Sequence, residues 1–181
     1  MMKRSTRIFL TCLTMLLVSA ACSKPAPNSA SESANAATSS PSPQKITSEG
    51  MVKAAAQRVE IPAGSSAEAT VHLTIQSGYH VNANPPTFPY LKATVLEISP
   101  ADGVSVAFVT YPNAVTKKFA FAEKPLAVYE GDLDIKATLK SDKAANKGER
   151  SIPARLRIQA CDDQVCYPPG MLELAIPVNV R

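Results

Sequence analysis

A chain of 181 residues with 19 Lys and Arg against 15 Asp and Glu carries a formal charge of +4, but Lys3, Arg4 and Arg7 crowd the amino terminus and leave the remainder close to neutral. That balance argues against nucleic acid or a strongly anionic surface as partner. Two histidines without a nucleophile motif leave no hydrolytic triad to assemble.

Lys3, Arg4 and Arg7 precede an apolar run from Ile8 to Val18 and the small residues Ser19, Ala20 and Ala21. This is the layout of a secretory signal, too short to span a bilayer. The small residues run directly into Cys22, an arrangement that resembles a bacterial lipoprotein signal, in which the cysteine is lipidated and begins the mature protein. Ser19 stands where that pattern most often has Leu. Residues 1–21 are therefore expected to be a lipoprotein signal peptide and Cys22 the lipidation site, with simple secretion as the alternative. Ser23 after it implies the outer membrane by the sorting rule of such proteins.

Residues 22–50 are rich in Ser, Ala, Pro and Asn with almost no large apolar side chain, so they cannot bury enough surface to offset their ordering entropy. They are expected to form a disordered tether, holding the domain roughly 30 Å from the membrane. Export also gives the cysteines their meaning, because disulfides persist in oxidising compartments. Cys12 leaves with the signal and Cys22 carries lipid, so Cys161 and Cys166 have only each other to pair with.

Residues 51–181 are enough for one domain with a modest core. Apolar residues alternate instead of recurring at helical spacing, which predicts an all-β antiparallel sandwich with no helix of any length. A short strand is expected near Gln57 to Ile61. Ala67, Ala69, Val71, Leu73 and Ile75 then take one face of a strand, leaving Glu68, Thr70, His72, Thr74 and Gln76 on the other, with His72 facing solvent. Lys92 to Ile98, Val104 with Val106 and Phe108, Leu126 to Tyr129, and Leu133 with Ile135, Ala137 and Leu139 continue the pattern. Ser99 to Gly103 and Glu130 to Asp132 supply turns between them.

Arg155 to Cys161 and Leu172 to Val180 are expected to form the last hairpin, with Asp162 to Val165 as its turn. Strict alternation puts Leu156, Ile158 and Ala160 inward and Cys161 outward, on the face of Arg155, Arg157 and Gln159. Cys161 and Cys166 would then flank the turn within bonding reach.

Three chemistries suit such a pair. A purely structural hairpin disulfide, in an envelope binding or scaffold lipoprotein, would restrict the unfolded chain by only about 2 kcal/mol. An exchange site needs a sulfur that a partner thiolate can reach. An outward Cys161 would supply one, and Pro168 and Pro169 remove backbone donors that could otherwise cover Cys166. Asp162 and Asp163 would raise a neighbouring thiol pKa while Arg155 and Arg157 would lower it. A soft metal held by Cys161 and Cys166 with Met171 or His80 is the third reading. No His-x-x-x-His, Met-rich run or second cysteine pair supports it, so no metal or cofactor is expected.

Cys161 to Pro169, Gly78-Tyr79-His80-Val81-Asn82, Tyr111-Pro112 and Val128-Tyr129-Glu130-Gly131 together resemble the amino-terminal periplasmic domain of the thiol:disulfide interchange protein DsbD. The resemblance implies an immunoglobulin-like sandwich whose cysteine pair accepts electrons from a membrane thiol reductase and passes them to envelope thioredoxin-like proteins. It implies that Cys166 makes the mixed disulfide and Cys161 resolves it, with Tyr167, Pro168 and Pro169 shaping the site. It also implies a cap loop with an aromatic lid, for which Phe119 and Phe121 are both candidates. This chain departs from the pattern in having its cysteines one residue closer and Lys117 and Lys118 where acidic residues often precede the lid. No membrane or thioredoxin-like domain accompanies the cysteines, so a monomeric, lipid-anchored form facing the periplasm would take its electrons in trans.

Overall fold

The computed structural model describes residues 46–181; the expected signal peptide, the expected lipidation site Cys22 and the expected tether as far as Lys45 lie outside the described residues. Ser48–Met51 form a single 3-10 turn. Among the described residues twelve strands follow in chain order: β1 (Val52–Ala56), β2 (Val59–Ile61), β3 (Ser66–Ile75), β4 (His80–Asn82), β5 (Val95–Ile98), β6 (Val104–Thr110), β7 (Val115–Lys117), β8 (Leu126–Tyr129), β9 (Asp132–Ser141), β10 (Gly148–Ile158), β11 (Ala160–Cys161) and β12 (Gly170–Val180). They assemble into three four-stranded sheets, ordered β1-β3-β9-β6, β2-β12-β10-β5 and β11-β4-β8-β7. Pairing is antiparallel except where β2 lies parallel to β12.

Side-chain alternation builds the sandwich. In β3, Ala69, Val71, Leu73 and Ile75 are buried while Glu68, His72 and Thr74 face solvent. In β9, Ile135, Ala137 and Leu139 turn inward. The second sheet answers with Leu96, Ile98, Ile152, Leu156, Ile158, Ile176 and Val178, and the two inner faces form one continuous apolar core. Each such aliphatic side chain contributes about 1.5–3 kcal/mol by leaving water. The all-β expectation therefore holds, and His72 is exposed as alternation predicts, its Nδ1 2.8 Å from Asp134 Oδ1.

Strict alternation fails at two places where the ladder is interrupted. Phe108, expected inward with Val104 and Val106, is 60% exposed. The β6–β9 register shifts between Val106 and Phe108, and one extra residue sends every later side chain to the opposite face. Cys161, expected outward with Arg155 and Arg157, is fully buried. β10 ends at Ile158, the backbone turns at Gln159, and the chain resumes as β11 in a different sheet, so that Ala160 and Cys161 are both inside.

The same break changes the last hairpin. β10 and β12 separate after the Ile158–Gly170 pair, so residues 159–169 leave the sandwich together and β11 pairs with β4. A second, smaller apolar cluster of Leu91, Phe119, Ala122, Leu126 and Val128 forms there. The folded body also starts earlier than residue 51: Ser48 is fully buried, so the expected tether does not extend through Gly50.

Candidate functional site

The excursion at residues 159–169 is organised around Asp162. Its Oδ1 accepts the amides of Gln164 at 2.7 Å and Val165 at 2.8 Å, and its own amide donates to the Val165 carbonyl at 3.0 Å. An Asp side chain that satisfies amides two and three residues on closes a tight turn without help from a sheet. This turn brings Cys161 and Cys166 opposite one another as an antiparallel bridge, and their sulfurs are bonded at 2.01 Å.

Tyr167 locks the turn from outside. Its hydroxyl donates to Asp162 Oδ2 at 2.6 Å, while its amide donates to the Ala160 carbonyl at 2.8 Å. The phenol and the two amides hold the Asp162 carboxyl below the usual carboxylate range. The carboxylate in turn pushes the Tyr167 phenol up to about 12. Asp162, expected as a charge bearing on the thiols, is thus engaged by Tyr167 and its own turn. Arg155, its expected opponent, is paired with Glu173 at 3.1 Å.

Beneath the turn lie polar residues that alternation does not reveal. Gln159, which alternation would leave in solvent, accepts the Asn82 side-chain amide at 3.1 Å and the Lys92 backbone amide at 3.0 Å through Oε1, and donates to the Tyr167 carbonyl at 3.3 Å. Ser48 donates to the Pro168 carbonyl at 2.6 Å and accepts the Ala160 amide at 2.9 Å, bridging both flanks of the cysteine pair. Pro168 and Pro169 are exposed and lie outside any strand, so Cys166 is followed by irregular chain. Glu49 accepts the Met171 amide at 2.8 Å, and Gly170 leaves room for it: a Cβ there would lie 2.6 Å from Glu49 Cγ. Ser48 and Gln159 carry no motif, and only their hydrogen bonds mark them.

The two sulfurs differ in access. Cys161 is sealed, whereas Cys166 is partly exposed and opens on a cavity of about 360 Å³ lined by Tyr90, Leu91, Phe121, Ala122, Leu126, Gln159, Gln164 and Val165. The two candidate lid residues also part company. Phe119 is 3% exposed and belongs to the small cluster, its ring stacked on His80 at 4.1 Å. Phe121 is 40% exposed, stacks on Phe119 at 5.5 Å and reaches the wall of the Cys166 cavity. The unexpected lysines anchor this loop. Lys117 pairs with Glu130 at 2.7 Å and lies 5.5 Å above the Phe119 ring, and Lys118 donates to the carbonyls of Ala122 and Glu123.

His80 is 1% exposed and burial lowers its pKa, so the imidazole is neutral near pH 7. Met171 is 37% exposed. Among the described residues no three or more His, Cys, Asp or Glu side chains converge as a metal site.

A tight, locked turn that offers one sulfur and hides the other suits stepwise disulfide exchange. The family profile described as "Thiol:disulfide interchange protein DsbD, N-terminal" matches residues 47–175. The chain belongs to this family. The matched DsbD N-terminal segment begins one residue before Ser48, in agreement with the start of the folded body. No curated protein matches the chain. Among solved structures, the N-terminal periplasmic domain of ScsB from Proteus mirabilis is similar at a TM-score of 0.49 and 11% identity, over 71% of this chain and 46% of that one. BcpA, the major pilin subunit of Bacillus cereus, is similar at a TM-score of 0.32 and 12% identity, over 72% and 40% of the two chains. The chain thus spans less than half the length of either.

Proposed function

We propose that this DsbD N-terminal domain is an electron relay of the bacterial envelope, cycling Cys161 and Cys166 between disulfide and dithiol. A membrane thiol reductase would reduce the pair, and envelope thioredoxin-like proteins would be reduced by it. The observation that carries this reading is the unequal access of the sulfurs: Cys161 is fully buried and Cys166 borders an open cavity. In-line attack through a mixed disulfide needs one reachable sulfur, and a second sulfur beside it then displaces the partner. Cys166 is therefore the residue that joins the partner and Cys161 the one that resolves. Tyr167, Pro168 and Pro169 hold Cys166 at an irregular edge, and Phe121, backed by Phe119, covers the approach to it. Lipidation at Cys22 and a tether through residue 45 would keep a monomeric domain on the membrane, in the outer membrane by the residue at position 23.

The test is equilibration of the purified protein in glutathione and thioredoxin buffers, with the thiol state of Cys161 and Cys166 and the fold followed together. A reversible potential within the span of known exchange proteins, roughly −120 to −270 mV, with the fold kept in both states, supports the relay. A potential well below about −300 mV, or unfolding on reduction, makes the bond a staple. Cys161→Ser should then trap an envelope partner on Cys166, and loss of labelled fatty acid in Cys22→Ser would report the anchor.

A further inference from the structure

We infer that His80 is the proton acceptor of the resolving step, receiving the Cys161 thiol proton on Nε2. The inference rests on the exchange reading above. His80 and Cys161 are direct partners in the antiparallel β4–β11 pair, and Cys161 and Cys166 are partners in the adjoining bridge. Directly opposed antiparallel residues project to the same side with Cβ atoms about 4.5–5.5 Å apart. The imidazole and both sulfurs therefore form one row on one face. The His80 ring is held by its stack on Phe119, and its Nε2 is buried without a hydrogen-bond partner among the described residues.

Buried ring nitrogens are rarely left unpaired. In the disulfide state the neighbouring sulfur has no proton to offer. Reduction creates a donor, the Cys161 thiol, on the residue directly paired with His80. A buried thiol resists ionisation, so its thiolate needs a base within the same dry row. Glu130, Lys117, Asp163 and Asp162 act on the ring from the surrounding elements, but burial outweighs them and keeps it neutral, with a lone pair available.

The step balances as follows. The Cys166 thiolate, its proton lost to solvent, attacks a partner disulfide; the Cys166–partner bond forms, the partner's own bond breaks, and the first partner sulfur takes a proton from solvent. Cys161 then gives its proton to His80 and attacks Cys166 Sγ. The Cys161–Cys166 bond forms, the second partner sulfur leaves as thiolate, and His80 returns the proton to it. Two electrons pass from the pair to the partner.

Stoichiometric dithiobis(nitrobenzoate) mixed with the reduced protein separates these events, because attack releases one thionitrobenzoate and resolution the other. Thionitrobenzoate leaves as a stable thiolate, so the second phase reads Cys161 deprotonation and attack without the proton return. In His80→Phe and His80→Gln the second phase should slow about 10²-fold at pH 7 with the first within about twofold, and its pH midpoint should rise above the ordinary thiol value of about 8.5, as burial of an unassisted thiol requires. In Cys161→Ser only the first phase should remain. A second phase and pH profile unchanged in the folded variants overturn the role of His80. A wild-type protein without a second phase sinks the exchange reading itself and this inference with it. Should neither variant fold, the His80 ring of the wild type is titrated by NMR: different midpoints in the disulfide and dithiol forms support the coupling, and identical midpoints overturn it.

Discussion

Tyr167 reaches across the disulfide turn to Asp162, donating its phenol hydrogen to Oδ2 at 2.6 Å while the other carboxylate oxygen holds two backbone amides. One short bond thereby ties the residue after Cys166 to the residue after Cys161. Each partner shifts the other: the carboxyl is held down and the phenol is pushed up to about 12. A depressed carboxyl contributes stability above its ordinary pKa and loses it as pH falls through the folded value. A raised phenol contributes below about 10 and loses it as pH climbs through the folded value. The lock is therefore complete between roughly pH 4 and 10.

Asp162→Asn should bring one tyrosine from about 12 back toward the ordinary value, visible as earlier phenolate absorbance in an alkaline titration. The wild-type turn should also open in acid. Taken relative to the Asn variant at each pH, so that protonation of the reductant cancels, reduction of its disulfide by a phosphine should accelerate as the pH drops below about 4.

The stacked Phe119 and Phe121 should separate stability from access. Phe119→Ala removes a buried ring and is expected to cost about 3–5 kcal/mol in chemical denaturation. Phe121→Ala, at an exposed position, should change stability by less than about 0.5 kcal/mol. Its effect belongs to Cys166, whose reduction by dithiothreitol should quicken several-fold.

Ser48→Ala strips a buried hydroxyl that serves the Ala160 amide and the Pro168 carbonyl. Leaving buried backbone groups unpaired costs about 1–3 kcal/mol, so the denaturant midpoint should fall accordingly with the disulfide intact.

The two histidines should titrate on opposite sides of 6.5. Hydrogen bonding to Asp134, aided by Asp132, raises His72, whose contribution to stability is full below 6.5 and is lost as pH rises through its folded value. Burial lowers His80, whose contribution is full above 6.5 and is lost as pH falls through its folded value. Imidazole proton shifts followed against pH would resolve both, and His72→Gln identifies the upper one.

Most of the sandwich could be read from alternation, because β3, β9 and β12 each carry an apolar face long enough to declare itself. β1 could not, since Ala54, Ala55 and Ala56 offer no contrast between faces, and β4 and β7 are too short for a period to emerge. The error at Cys161 has a definite cause: a parity argument presumes an unbroken ladder, and Gln159 breaks it by turning its side chain into hydrogen bonds with Asn82, Lys92 and Tyr167. Phe119 and Phe121 were inseparable by spacing, two residues apart in a loop, and only packing distinguishes them. Ser48 fell within a compositionally bland stretch, and its role depends on contacts more than a hundred residues away.

The hold of Ser48 on Ala160 and Pro168 also sets the polarity of the molecule. The chain comes into the fold beside Cys161 and Cys166, whereas β12 carries its other end roughly 33 Å from Gly170 to Val180, at the opposite pole. A reporter fused ahead of Ile46 would crowd the sulfurs, and one fused after Arg181 would hang clear of them. Whatever grips this protein by its amino-terminal side holds it disulfide first.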